Sequence, residues 1–382
     1  MVTLVLLNSM GWAAFTAGAA LAPRTDINPA LLYWQAFSIY PVLTNAEAKL
    51  LIEPNNGSPE ERARLAARFE NSFKLIDRAA QSTAPCDWGV DLADGPEAFV
   101  PNVAKIRTGA NAAVLRAQVA LSEGRDEDAV RNLLSIVAMA RHTAVQGTLV
   151  QAMIQVAIED MAYTFAAANI GNFDAAALST LERQLASSPG RKSVADAMQF
   201  EKQCFFEWFV KQMEQIRAAH AGNEAAAAAA VKTLWSRLFS DKSFPDLWAQ
   251  AGQSSEGLIA YCAKTEILYD ELLRFTSASP AELKPAGNEM RERLDASGNI
   301  LAQTITPNIV RARSKEMETV ARLEMVRAAI AFKLRGGVGF RSVHDPFGNG
   351  PFAMTQQSEG FELRSRLADY GFKGTLAFGK TP

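Results

Sequence analysis

The chain has 382 residues, 48% of them hydrophobic, and a formal net charge of −2. That is ample apolar material for a large core, arranged as two domains or as one continuous helical array. The near-neutral balance, with no dense Lys/Arg stripe interleaved with aromatics, gives no general attraction for nucleic acid or acidic membranes. Cys86, Cys204 and Cys262 lie far apart with no CxxC, and His142, His220 and His344 are scattered. Neither a zinc site nor a thioredoxin-type motif is therefore expected, and the odd cysteine count leaves a thiol free unless two chains are bridged.

The first element, "VTLVLLNSMGWAAFTAGAALA", is an apolar run with no charge before Arg24. Ala17-Gly18-Ala19 and Ala20-Leu21-Ala22 both obey the small-x-small rule for signal cleavage. The second would leave Pro23 at the new terminus, so the first is preferred. Residues 1–22 are read as a signal peptide, which places the protein in the periplasm or cell envelope. The missing Lys or Arg in the n-region argues the other way, for a buried helix of a cytoplasmic protein. Asn8, Ser9 and several small residues dilute a run that barely reaches spanning length, so no stable membrane span is expected after cleavage.

Helix punctuation then follows in chain order. Asn28-Pro29 offers an N-cap and first-turn proline for "ALLYWQAFSIY", which Pro41 ends. Ser58, Pro59 and Glu61 form a capping-box pattern ahead of a helix with Leu65, Phe69 and Phe73 toward the core. "TAPCDWGVDLADGPE" has no helical period and reads as loop. Two helices then meet at "EGRDED", residues 123–128. Val103, Ile106, Ala110, Ala113, Ala117 and Leu121 stripe the first, and Val130, Leu133, Val137 and Ala144 the second. This is an antiparallel, tetratricopeptide-like helical hairpin, but no second copy recurs at a fixed period. Helices are expected over 148–169, 174–187, 193–219, 224–239, 253–277 and 281–296, with a break at "SDKSFPDL". The last helix is capped by Thr306-Pro307, buries Val320, Leu323, Val326, Ile330 and Leu334, and stops at Gly336-Gly337.

The end of the chain changes character. Asp345-Pro346 and Gly348-Asn349-Gly350-Pro351 are turn chemistry. In "FELRSRL", Phe361, Leu363, Ser365 and Leu367 alternate with charged residues, so a small antiparallel sheet should pack its Phe/Leu face on the last helix. The expected fold is mainly α, an irregular antiparallel helical array with a small C-terminal β segment. Its regions are 1–22 (signal), 27–190 (N-terminal helical), 191–335 (C-terminal helical) and 336–382 (β tail).

No P-loop, dinucleotide glycine motif, GxSxG or HExxH is present, so no cofactor or metal is expected. What remains are polar residues at positions where the pattern predicts burial. Glu201 lies on the apolar face of Val194, Ala197, Met198, Phe205 and Trp208, where a carboxylate must pair, bind a cation or keep its proton. Gln151, Gln155 and Glu159 form an i, i+4, i+8 stripe that could line a cleft. Asp87 sits beside Trp88 in a loop able to fold over it, and His142 ends a hairpin helix. One reading has Asp87, His142, Glu159 and Glu201 converge on one site for a cation or acid–base work. The structural reading has Glu159 facing solvent with Asp160, Glu201 paired with Arg116 or Arg141, His142 capping a helix C-terminus, and the aromatics in the core.

Two resemblances bear on function. The long helix followed by "DPFGNGPF" and "GFELRSRL" resembles the end of type II secretion major pseudopilins, which implies a local turn-and-hairpin shape. A pseudopilin begins with a cleaved hydrophobic helix bearing a glutamate near the mature terminus, whereas nearly three hundred residues of other helices follow the apolar run here. "NPALLYWQAFSIYP", "CDWGVDLADGP", "RAQVALSEGRDEDAVRNLLSIVAMARH", "QVAIED" and "DPFGNGPF" together are similar to an uncharacterised family of exported, helix-rich bacterial proteins. That likeness implies export and an all-helical body with a short β tail. The first functional expectation is an exported scaffold or binding protein whose helical concavity or tail docks a protein partner in the cell envelope. The second is a hydrolase-type enzyme using buried carboxylates in a central cleft, and the third a pseudopilus component.

Overall fold

Residues 24–97, 103–238, 244–305 and 309–379 are described by the computed structural model. The signal-peptide segment and the Thr306-Pro307 cap lie outside them. Asn28 accepts the Ala30 N–H at the start of α1 (Pro29–Ser38). Capping boxes open α2 (Asn45–Ile52) at Thr44/Glu47 and α3 (Pro59–Arg68) at Ser58/Glu61. The sequence suggests one helix from Ser58 to Ile76, but the chain turns at Phe69 (φ −91°, ψ 0°) into α4 (Glu70–Ala80). The break lets α3 pack on α5 while α4 packs on α1 and α6. Phe69 and Phe73 are both fully buried as a result.

The expected hairpin is α5 (Val103–Ser122) and α6 (Asp126–Thr143), turning at Gly124 with φ +70°. Ala110, Ala113 and Ala117 are fully buried between them. Such small residues let two backbones approach closely. Then come α7 (Leu149–Ala168) and α8 (Ala175–Ser187). The segment expected as one helix over 193–219 is α9 (Val194–Glu201) and α10 (Trp208–Ala219), joined by a π-helical turn, Lys202–Glu207. Further on are α11 (Glu224–Leu238) and α12 (Phe244–Gln250). Part of the expected break, "FPDL", is the first turn of α12, with Pro245 where a proline costs no helical hydrogen bond. The helices end with α13 (Ser255–Phe275), α14 (Pro280–Ser297), α15 (Ile300–Ile305) and α16 (Ile309–Arg341). Gly336, at φ +62°, breaks α16 where the glycine pair predicts a stop, and a further helical stretch then continues to Arg341.

The fold is mainly α with a three-stranded antiparallel sheet at the end, in the order β1 (Ala353–Gln357), β2 (Gly360–Arg364), β3 (Thr375–Phe378). Phe361 stacks on Phe378 at 5.0 Å and meets Phe332 of α16 edge-on at 5.6 Å, so the apolar face does pack on the last helix. The strand ends at Arg364, short of the expected alternation, because Ser365 caps a 3-10 turn over Arg366–Tyr370. No helix among the described residues is long and apolar enough to cross a membrane. One large hydrophobic cluster joins α1 to α9, α13 to α16 and the sheet. A smaller one, around Phe206, Phe209, Trp235 and Cys262, runs through α10 to α13.

Asp345 holds the turn that leads into the sheet. Only 3% exposed, it accepts the Phe347 N–H (3.0 Å), the Ser365 hydroxyl (2.7 Å) and the Arg366 N–H (2.6 Å). Hydrogen bonds to a charged acceptor contribute about 1.5–3 kcal/mol, and buried donors left without partners cost more. We expect Asp345→Ala to destabilise the protein by roughly 3 kcal/mol in urea unfolding. Hydrogen exchange should quicken first in β2 and β3, with α6 unaffected. Unchanged exchange in the sheet would show that the turn is held by something else.

Candidate functional site

The polar stripe of α7 is buried, with Gln151, Gln155 and Glu159 at 1%, 0% and 0% exposure. The groove it lines is filled by the chain itself. Gln151 closes the capping box of α7, accepting the Thr148 N–H at 3.1 Å. Gln155 grips the backbone of Lys192, donating Nε2 to its carbonyl (3.1 Å) and accepting its N–H at Oε1 (3.2 Å). Glu159 accepts from Arg141 Nε at one oxygen and from Arg191 Nε at the other, both at 2.7 Å.

The charges continue from there. Arg141 also donates to the Pro189 carbonyl (2.9 Å) and the Tyr163 hydroxyl (3.3 Å). Arg191 reaches Glu316 of α16 at 3.5 Å. Glu316 also accepts the Val194 N–H (3.0 Å) at the start of α9, and pairs with Arg313. The result is an alternating chain, Arg141–Glu159–Arg191–Glu316–Arg313, that ties α6, α7, the 189–194 segment and α16 together. Glu159 therefore faces neither solvent nor Asp160, whose own partner is Arg322.

His142 points into an aromatic cluster. Its Nδ1 lies 3.0 Å from the Tyr33 hydroxyl, and Tyr33 stacks on Trp88 at 5.7 Å. The Trp88 indole N–H donates to the His142 carbonyl at 2.8 Å. Burial pushes the His142 pKa down to about 4, so the ring is neutral at pH 7. Asp87 is exposed and accepts the Gly89 N–H at 2.8 Å, an Asx turn. Asn28, the cap of α1, donates Nδ2 to the Asp87 carbonyl (2.7 Å) and accepts its N–H (3.0 Å), which latches the loop to that helix. Farther along, the Trp208 indole N–H donates to the Ala93 carbonyl at 2.9 Å.

Glu201 accepts the Leu149 N–H at 2.9 Å, one of the orphan donors at the start of α7. Burial raises its pKa, and the Leu149 bond opposes that. Arg116 and Arg141 are engaged elsewhere, with Glu70 and Glu159. Among the described residues, then, His142, Glu159 and Glu201 share no hydrogen-bonding partner, and Asp87 is a surface turn residue. No group of three or more His, Cys, Asp or Glu among the described residues is placed to hold a metal ion. The three cysteines are free, and burial pushes Cys86 and Cys262 up to about 12, far from a thiolate at neutral pH.

Arg191, Arg313 and Glu316 are the members that sequence reasoning missed. Arg191 stands in the link "SSPGRKS" and the other two in the charge-rich "RARSKEMETVARLEM" of the last helix, where no local pattern marks them as partners of a buried carboxylate. No protein-family model matches the chain, and no curated protein or solved structure matches it either.

Removing one partner of a buried ion pair leaves the other charge uncompensated, which costs about 3–5 kcal/mol. We expect Glu159→Gln to lower stability by that amount in denaturant unfolding. A loss below about 1 kcal/mol, the range of exposed pairs, would contradict the buried network.

The His142 pKa also sets a pH dependence. Its folded value of about 4 is below its ordinary 6.5. Between these the unfolded state binds more protons, so stability falls as the pH drops through that window, by roughly 3 kcal/mol in all. Glu201, shifted upward, contributes with the opposite sign in the acid range. The comparison is therefore wild type against His142→Asn, whose stability should slope less steeply from pH 6.5 to 4. Parallel slopes would mean that the imidazole titrates normally.

Proposed function

We propose that the protein is an exported helical scaffold that binds a protein partner in the cell envelope, and that the C-terminal sheet supplies the docking edge. The observation that carries this reading is the asymmetry of the sheet's two edges. The β3 side meets the helical body, packing on α7 and α16, and the Gly379 N–H just beyond it donates to the Ala167 carbonyl of α7 at 3.2 Å. Among the described residues β1 pairs with β2 alone. Its sequence, "AMTQQ", has no charge and no proline. Natural proteins usually guard an open edge with lysine, proline or a bulge.

The register tells which backbone groups face outward. Gln357 pairs with Gly360 across a two-residue loop, and the closing pair of such a hairpin is hydrogen-bonded. The ladder then alternates, so the N–H and C=O groups of Met354 and Gln356 point away from β2. An extended partner segment adds a strand there through main-chain hydrogen bonds. The likeness to exported helix-rich proteins supports the location. The hydrolase reading has less support, because Glu159 is 0% exposed with both oxygens engaged and Glu201 is spent on a helix terminus.

The test is purification from the native cells of wild type and Gln356→Pro, which removes one outward N–H. Wild type should bring down a stoichiometric partner, and the variant should bring down at least about tenfold less, the worth of one or two hydrogen bonds. Both should share one unfolding midpoint. A wild-type protein that elutes alone, or a partner retained fully by the variant, would overturn the proposal.

A further inference from the structure

We infer that the cleft between α13, α14, α15 and α16 is a binding site for a small zwitterion with an apolar body, namely a free α-amino acid with a large apolar side chain. The cleft has a volume of about 280 Å³. That is below the usual range for drug- or cofactor-sized ligands, about 300–1,000 Å³, and suits a molecule of amino-acid size. Its floor is apolar, with Leu272 and Phe275 from α13, Met290 and Leu294 from α14, and Ile309 from α16. Gly287 lets α14 come this near, because a Cβ there would lie 2.5 Å from Val310 and 3.1 Å from Phe275.

The polar groups at this cleft are Arg291, Asp295 and Gln303. Arg291 and Asp295 are exposed and one helical turn apart, yet neither has an ion-pair or hydrogen-bonding side-chain partner among the described residues. Elsewhere the chain pairs such neighbours, as in Lys315–Glu318 and Arg327–Glu324. At 291 and 295 the base precedes the acid, the weaker order for a helical pair. Gln303 donates to the Leu294 carbonyl at 3.4 Å, which leaves its amide oxygen to accept. A cation, an anion and an acceptor thus border one apolar floor. The guanidinium of Arg291 matches a carboxylate as a two-pronged donor. Asp295 and the Gln303 oxygen match an ammonium group, and the apolar side chain of the ligand covers the floor.

A larger cleft, about 660 Å³, lies near the start of α13, but several of its charges are already engaged. Glu224 there accepts from Ser255, and Arg217 pairs with Glu256 at 3.4 Å.

The experiment is calorimetric titration of the full chain with L-phenylalanine. The one-headed controls are 3-phenylpropionate, which keeps only the carboxylate, and phenethylamine, which keeps only the ammonium. L-phenylalanine should bind with a Kd below about 1 mM, a modest demand for a ligand of its size. Each control should bind at least about tenfold more weakly, having lost one charge-assisted contact. Arg291→Gln should weaken phenylalanine and phenylpropionate by about tenfold and leave phenethylamine unchanged. Asp295→Asn should weaken phenylalanine and phenethylamine by about tenfold and leave phenylpropionate unchanged. Both positions are exposed, so the unfolding temperature should stay constant and separate a binding effect from a folding one. No binding at about 10 mM, controls as tight as phenylalanine, or variants that bind like wild type would each overturn the assignment.

Discussion

The carboxylate of Glu159 is the constraint on which the centre of the molecule depends. It is wholly out of water, and an unpaired ion there would cost several kcal/mol. Its two oxygens are divided between two guanidinium groups, Arg141 at one and Arg191 at the other. Arg191 is then itself largely buried, and Glu316 answers it. Glu316 has a second duty, since it accepts the first N–H of α9. Each member satisfies its neighbour and creates the next requirement. The 189–194 segment, which carries no regular structure before Val194, is held in place mainly by this chain and by Gln155. The C-terminal sheet in turn rests on two helices that the chain positions, α7 through Ala167 and α16 through Phe332.

Local features of the fold were legible where their cause is local. The capping box at Ser58, the proline at the head of α1, the Gly124 turn and the alternation of Phe361 and Leu363 all depend on neighbours within four residues. The break at Phe69 was not legible, because Leu65, Phe69 and Phe73 keep a helical interval on both sides of it. It follows from two different packing partners for α3 and α4, which no periodicity reveals. The π-helical turn at 202–207 has the same origin, since it sits where the Ala93 carbonyl meets Trp208 and where Glu201 reaches α7.

The candidate site divides in the same way. That Gln151, Gln155, Glu159 and Glu201 are shielded from water could be read from their position on apolar helix faces. What they touch could not. A buried carboxylate announces a need for a partner, and the same need is met by a substrate, a metal or an arginine in a distant loop. Arg191 is 32 residues from Glu159, and Leu149 is 52 from Glu201. Partners this far along the chain leave no local pattern. His142 was legible as the end of a hairpin helix but not as a neutral ring in an aromatic cluster, because Tyr33 arrives from 109 residues away.

With the buried charges of the central network committed to one another, the two surface features proposed for recognition are the edge of β1 and the cleft beside α14. Both are connected to α16, the cleft through Ile309 and Val310 and the sheet through Phe332 and Phe340. Between these points α16 is tied at several places. Glu316 holds α9, Glu318 accepts the Lys373 N–H at 3.1 Å, and Arg322 pairs with Asp160 of α7. A packed helix fixed this often does not slide to transmit a small displacement, because coupling between sites needs an element with two arrangements of similar energy. The ionic chain offers only one arrangement in which Glu159 keeps both of its arginines. On these proposals, a ligand in the cleft and a strand on the edge would act as independent events, with a coupling free energy near zero.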